Sequence, residues 1–242
     1  MIGVIRSEFT KLFSSPLCVL GIFGSVLIAP TVVFFASLNL ASTMVIARDI
    51  VSQSLRSLVL GQAGTAVLAA GLFGQEYTHS CLRTTFLAVP KRIKLLSAKL
   101  IVLTIVVVFT GFISGALSLV IGIIQYGIAV NSWLILEYMG YVVYAMISWV
   151  QISWLCAGIS VSTKTLITPI NVMLPLVFGL SQMLYSFLNL AKFLPDLATI
   201  NLFLVPKVSG FLDIGTGICV QFIWVLLFAT IAASIALRSD VR

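Results

Sequence analysis

The segment LCVLGIFGSVLIAPTVVFFASL, residues 17–38, carries no charged side chain over 22 residues. As an α-helix rising about 1.5 Å per residue it is about 33 Å long, enough to cross a hydrocarbon layer of about 30 Å. Its start is written just ahead of it. Ser15 is a hydroxyl N-cap and Pro16 occupies the first helical position, where no amide donor is needed. Pro30 lies inside the segment and predicts a kink.

The composition requires the rest of the chain to follow this segment. Apolar residues make up 60% of 242 and charged residues 9%, whereas a soluble domain is about half apolar and about a quarter charged. So few charges cannot cover a water-facing surface of this size. The apolar runs are long and continuous, not alternating, which argues against a β-barrel. The fold class is therefore an all-α membrane protein. Five further spans are expected: Leu55–Gly74, Leu100–Ile124, Tyr138–Val161, Leu166–Leu190 (broken by Pro169 and Pro175) and Ile214–Leu237. Residues 1–242 read as one transmembrane domain, with no internal repeat and no low-complexity tract.

Upstream of the first span, Ile2, Ile5, Phe9, Leu12 and Phe13 share one helical face, while Ser7, Glu8, Thr10 and Lys11 fall on others. This predicts an amphipathic helix over residues 1–15, lying in the membrane interface. A cleaved secretory signal is the competing reading. The apolar run is too long for one, and no small-residue cleavage site follows. Downstream, Ala66, Ala70 and Gly74 recur every four positions in the second span, and Gly111 and Gly115 form a GxxxG pair in the third; both predict close helix packing. Residues 191–213, too apolar for a free loop, read as short helical pieces dipping into the outer leaflet.

Six spans place both termini on one side. That side holds Arg6, Lys11, Arg83, Lys91, Arg92, Lys94, Lys99, Lys164, Arg238 and Arg242; the other holds Arg48, Arg56, Lys192 and Lys207. The imbalance puts the termini in the cytoplasm. With Glu8, Glu76 and Asp240 inside and Asp49, Glu137, Asp196 and Asp213 outside, the whole net charge of +7 sits on the inner side. Topology alone accounts for it, and no nucleic-acid partner is implied. Tyr126, Trp133, Tyr138, Tyr141 and Tyr185 read as interface anchors at the outer ends.

Little chemistry is encoded. His79 is the only histidine, with Glu76 three residues before it, and it lacks the second histidine of a zincin motif. The cysteines Cys18, Cys81, Cys156 and Cys219 have no metal-ligand spacing. No phosphate-binding GxxxxGK[ST] loop is present, so neither ATP nor another cofactor is expected on this chain. No ionisable residue falls at mid-depth in any span, where a proton- or ion-coupled carrier usually needs one. The uncharged polar residues Gln62, Gln151, Asn171 and Gln182 either bond neighbouring helices or line a sparsely polar path for an amphipathic substrate. Energy for transport then has to come from a separate subunit.

One stretch is dense in charge: GQEYTHSCLRTTFLAVPKRIKLLSAK, residues 74–99, between the second and third spans. Thr78 or Ser80 caps a short predicted helix, and Pro90 ends it. Leu82, Phe86 and Val89 form an apolar stripe on it. Such a stripe either lies back on the bilayer or fits a groove on another protein, and the basic residues after Pro90 suit anionic head groups.

This stretch, together with IRSEFTKLFSSP at residues 5–16, resembles ABC-2-type transporter permeases, the membrane subunits of bacterial ABC exporters. The first motif is similar to the family's elbow helix, the second to its segment between spans two and three; Ser80 stands where the family usually has glycine. The resemblance implies a cytoplasmic coupling helix within residues 75–98. Glu76, Leu82, Arg83, Thr84, Thr85, Phe86, Pro90 and Arg92 would couple it to an ATP-binding cassette ATPase that carries ATP and magnesium. It also implies a second permease chain, identical or paralogous, a path lined by the first, second and fifth spans, and a bacterial plasma-membrane location. Export of an amphipathic substrate, such as an antimicrobial peptide or antibiotic, is the function it suggests. The alternative is a membrane sensor or scaffold that docks a cytoplasmic partner without transport.

Overall fold

A computed structural model describes residues 2–39, 46–77, 92–128 and 130–238. The helices are α1 (Ile2–Ser14), α2 (Pro16–Asn39), α3 (Ala47–Gly74), α4 (Arg92–Tyr126), α5 (Ser132–Thr163), α6 (Ile167–Pro175), α7 (Ser181–Phe187) and α8 (Ile214–Arg238). Six spans among the described residues are long and apolar enough to cross a membrane: α2, α3, α4, α5, α6 continued into α7, and α8. No extended strand occurs among the described residues. The six-span, all-α fold class is the one the sequence predicts. The end of the bundle that carries α1 is called basal below, the opposite end distal.

Local chemistry sets the helix limits. The Ser15 hydroxyl faces the Cys18 amide at 3.4 Å and caps α2 directly after α1. Asp49 folds back to accept from the Ile46 amide at 3.0 Å at the start of α3. Gly127 ends α4 at φ 62, donating to Ile123 O at 3.0 Å, a left-handed closure suited to glycine. The predicted break at Pro175 takes a specific form. The fifth span passes through a wide π-type turn, Leu176–Leu180, in which Gly179 adopts φ 118, a value open essentially to glycine alone.

α3 is the central helix and is buried on nearly all sides. It packs on α2, α4 and α5, and α8 packs on α5. Missing side chains allow the closest approaches. A Cβ added to Gly21 of α2 would meet Leu68 N at 2.6 Å, and one on Gly64 of α3 would strike the Ser25 backbone. Gly71 faces Cys18, and Gly74 abuts Leu166. The Gly111–Gly115 pair packs as its spacing predicts: Gly111 meets Met146, and Gly115 meets Val142 at 3.1 Å. In the second span the predicted stripe of Ala66, Ala70 and Gly74 is buried, yet the tightest contact to α2 runs through Gly64, Leu68 and Gly71. Without attraction from water exclusion, helices in lipid gain by such close dispersion contact.

Several sequence expectations change. The second span begins at Ala47, not Leu55, and the fourth at Ser132, not Tyr138. The fifth span runs unbroken through Pro169, which lies in the first turn of α6 where a proline is tolerated. Tyr138 is fully buried and donates to Gly115 O at 2.8 Å, so it is a core residue and not an interface anchor.

Candidate functional site

The basal cluster joins four elements. Glu8 of α1, expected on a polar face, is 1% exposed and turned toward the bundle, as is Leu12 one turn later. Its carboxylate holds Lys99 of α4 at 2.8 Å and Lys11 at 2.9 Å. Lys99 also donates to Leu72 O of α3 at 3.0 Å and lies 5.8 Å from the Phe73 ring centre. Beside it, Gln75 Nε2 donates at 2.5 Å to the same Ser15 hydroxyl that caps α2. Burial alone would raise the Glu8 carboxyl, but the two ammonium groups together outweigh it and hold the carboxyl below its ordinary value. A buried ion is tolerated when an opposite charge and further hydrogen bonds replace the water it lost. The cluster therefore ties α1 to the last residues before and the first turns after the interval 78–91.

Residues 78–91 lie in sequence between the short turn Gln75–Tyr77 and the start of α4 at Arg92. Lys99 sits two turns into α4, and Leu72 sits at the end of α3. Through Lys99 and Glu8 the end of α3, the start of α4 and α1 are joined at the basal end.

A second polar network lies halfway along the bundle. Ser148 of α5 accepts from Gln62 of α3 at 3.0 Å and from Gln221 of α8 at 3.2 Å, and meets the Thr199 hydroxyl at 2.9 Å. With two amides on its oxygen, Ser148 directs its own proton to Thr199. Gln221 donates also to Pro195 O at 2.8 Å. Ser148 is 16 residues, about 24 Å, from the distal start of α5. The connection before the last span therefore plunges far into the protein. Its residues 195–203 are all buried, and Ala191, Leu197 and Ile200 form a small core against Val59, Leu184, Tyr185 and Phe211. A bare backbone at that depth is tolerated because protein covers it. Asp196 rides in on this segment, 7% exposed. Burial pushes its carboxyl up to about 6, against the lowering effect of Ser181 and local amides. The survey of the spans alone missed this acid because it lies between two of them.

The predicted site residues fall into three groups. Leu82, Arg83, Thr84, Thr85, Phe86 and Pro90 lie outside the described residues, as do His79 and Cys81. Glu76 sits in the short 3₁₀ turn Gln75–Tyr77, and Arg92 opens α4, so the described backbone places them on either side of the interval. The four polar residues proposed for a pathway are not brought together. Gln62 and Gln151 are buried in the bundle, whereas Asn171 and Gln182 are exposed on the fifth span. Sequence reading did not single out Glu8, Lys99, Ser148, Thr199 or Asp196 as partners. The only one-dimensional signal was a charge or hydroxyl inside an otherwise apolar context.

An apolar cleft of about 200 Å³ opens near the basal end, between α3, α4, α5 and α8. Phe73, Leu96, Trp154, Gly158, Val225 and Ala232 line it. Among the described residues no group of His, Cys, Asp and Glu is arranged to hold a metal.

Residues 4–182, from α1 into α7, match the family described as ABC-2 family transporter protein. No curated protein and no solved structure matches the chain.

Proposed function

The chain belongs to the ABC-2 transporter family, and from that premise we propose how this membrane permease is driven and what it moves. As a transporter membrane subunit it is not the catalytic part; the family works with an ATPase subunit. In our reading the interval containing Leu82, Arg83, Thr84, Thr85 and Phe86 seats in a groove of a cytoplasmic ATP-binding cassette subunit, which holds ATP and magnesium. Glu76 and Arg92 flank the seat. ATP binding closes two ATPases on each other and pulls the interval. Two permease chains, identical or paralogous, then rock toward an outward-open state, and hydrolysis resets them. Both termini face the cytoplasm of a bacterial cell.

The observation that supports this reading is the Glu8–Lys99–Leu72 cluster. It ties α3 at Leu72 and α4 at Lys99, the helices that precede and follow residues 78–91, to α1 through a buried ion pair, and in our reading a pull on the coupling segment is passed to the base of the bundle through it. The apolar basal cleft and the sparse polar residues suit an amphipathic cargo such as an antimicrobial peptide or antibiotic. In this reading Asn171 and Gln182, exposed on the fifth span, meet the cargo, while Gln62 and Gln151, buried in the bundle, serve helix packing.

The test is Phe86→Asp and, separately, Arg83→Glu, in cells that carry the ATPase. Both variants should insert normally, lose co-purification with the ATPase and lose export or resistance. If both still co-purify and retain full activity, the docking interval is elsewhere. If they retain the ATPase and its turnover ignores every candidate substrate, the chain is a scaffold and not a conduit.

A further inference from the structure

The hydroxyl of Ser181 stands between two groups that both accept hydrogen bonds. One is Leu176 O, 2.9 Å away across the π-type turn of the fifth span. The other is Asp196 Oδ2 of the inserted distal segment. A serine has a single proton to donate. If that proton goes to Leu176 O, the bond to Asp196 exists only when Asp196 carries a proton of its own and donates it to Ser181.

The surroundings favour that proton. Among the described residues no lysine, arginine or histidine forms an ion pair with Asp196. The nearest cation in sequence, Lys192, lies over the Phe193 ring at 5.3 Å. The polar groups bonded to the inserted segment from α5, α7 and α8 are Ser148, Ser181 and Gln221, all uncharged; α7 also packs Tyr185 on it, a phenol that donates to Gly210 O, and α3 packs the apolar Val59. Asp196 Oδ1 is buried without a hydrogen-bond partner, a situation a carbonyl-like oxygen of a neutral acid tolerates far better than half of an ionised carboxylate.

We propose that Asp196 is a proton-binding site, and that its proton latches the inserted distal segment to the hinge of the fifth span. In the latched state Asp196 Oδ2–H donates to Ser181 Oγ, and Ser181 donates to Leu176 O. The hinge is Pro175 with Gly179, whose φ of 118 lets the span bend there. When the proton leaves to water at the distal side, Asp196 becomes an uncompensated buried carboxylate. It then withdraws from the interior, drawing Pro195 and Thr199 from Gln221 and Ser148. The inserted segment and the hinge thus move as one unit under the control of a single proton. This latch does not depend on which ATPase or cargo the permease serves.

The sign follows from burial. The folded acid holds its proton up to about pH 6, against an ordinary value of 3.8. The latch therefore stabilises the segment fully below that ordinary value and is lost as pH rises through about 6. The experiment is hydrogen–deuterium exchange on the full chain in lipid nanodiscs at pH 5 and pH 8, corrected for the intrinsic exchange rate. In wild type, amides of residues 195–203 should exchange about tenfold faster at pH 8, a loss that corresponds to about one pKa unit of linkage. Asp196→Asn, neutral at both pH values, should keep them protected at both. Ser181→Ala should leave them fast at both, while α3 and α5 stay protected and report an intact fold. Equal corrected protection of wild type at the two pH values, or the same pH response in Asp196→Asn as in wild type, overturns the latch.

Discussion

Removing the Glu8 carboxylate isolates the structural claim on which the drive mechanism rests. Glu8→Gln preserves size and a hydrogen-bonding oxygen but leaves Lys99 a buried cation. The two side chains are 1% and 2% exposed and 2.8 Å apart, so solvent screening is weak. Lys11 is 45% exposed and contributes no more than a surface pair, about 0.5 kcal/mol. Lys99 keeps its bond to Leu72 O, which offsets part of the loss. Breaking a buried pair from one side costs about 3–5 kcal/mol, and we place this variant at the lower end, about 3 kcal/mol. For a chain of this size that corresponds to about 6–12 °C in melting temperature. The assay is thermal unfolding of purified chain in one detergent at neutral pH, for Glu8→Gln, Glu8→Leu, Lys99→Met and the Glu8→Leu/Lys99→Met double variant. Each single change should lower the midpoint by that amount. The double should recover most of it, because two apolar groups leave no orphan charge. Single shifts under about 2 °C, or additive losses in the double, would refute the buried pair as the anchor.

Acid should reveal the same pair. The folded Glu8 carboxyl is held below its ordinary value of 4.5, so its stabilisation is present above 4.5 and lost as pH falls through the lower folded value; acid titration of unfolding in wild type and Glu8→Gln should show this slope only in the former. Ser148→Ala removes the acceptor of two amides and the partner of Thr199, and should cost about 2 kcal/mol in denaturant unfolding. Gly64→Val drives a side chain into the Ser25 backbone, and should cost about 3 kcal/mol, read as a loss of monodisperse protein in size-exclusion chromatography. Gly140→Ala, where an added Cβ meets nothing within 4 Å, is the matched control and should leave the chromatogram unchanged.

Much of this architecture is legible in one dimension. Hydropathy counts spans because a helix must satisfy its own backbone in lipid, and residues 17–38 declare that requirement without any partner. The Gly111–Gly115 spacing announced a close contact for a similar reason: both positions lie on one face of one helix. The candidate site was less legible. Glu8 was assigned to a polar face because a helical wheel ranks residues by affinity for water. It cannot see a lysine 91 positions later. Asp196 escaped because its depth is set by a chain reversal and not by a span.

The sequence by itself determined the solvent, the number of crossings and one of the two predicted bends of the fifth span, the one at Pro175. All three follow from local composition and from the fixed 1.5 Å rise of the helix. Only the tertiary structure decided which charges are paired, which glycines touch, and how deep residues 195–203 descend. Those properties depend on groups far apart in the chain reaching 3 Å from one another. In a low-dielectric interior that distance decides whether a buried charge or hydroxyl is stabilised or rejected.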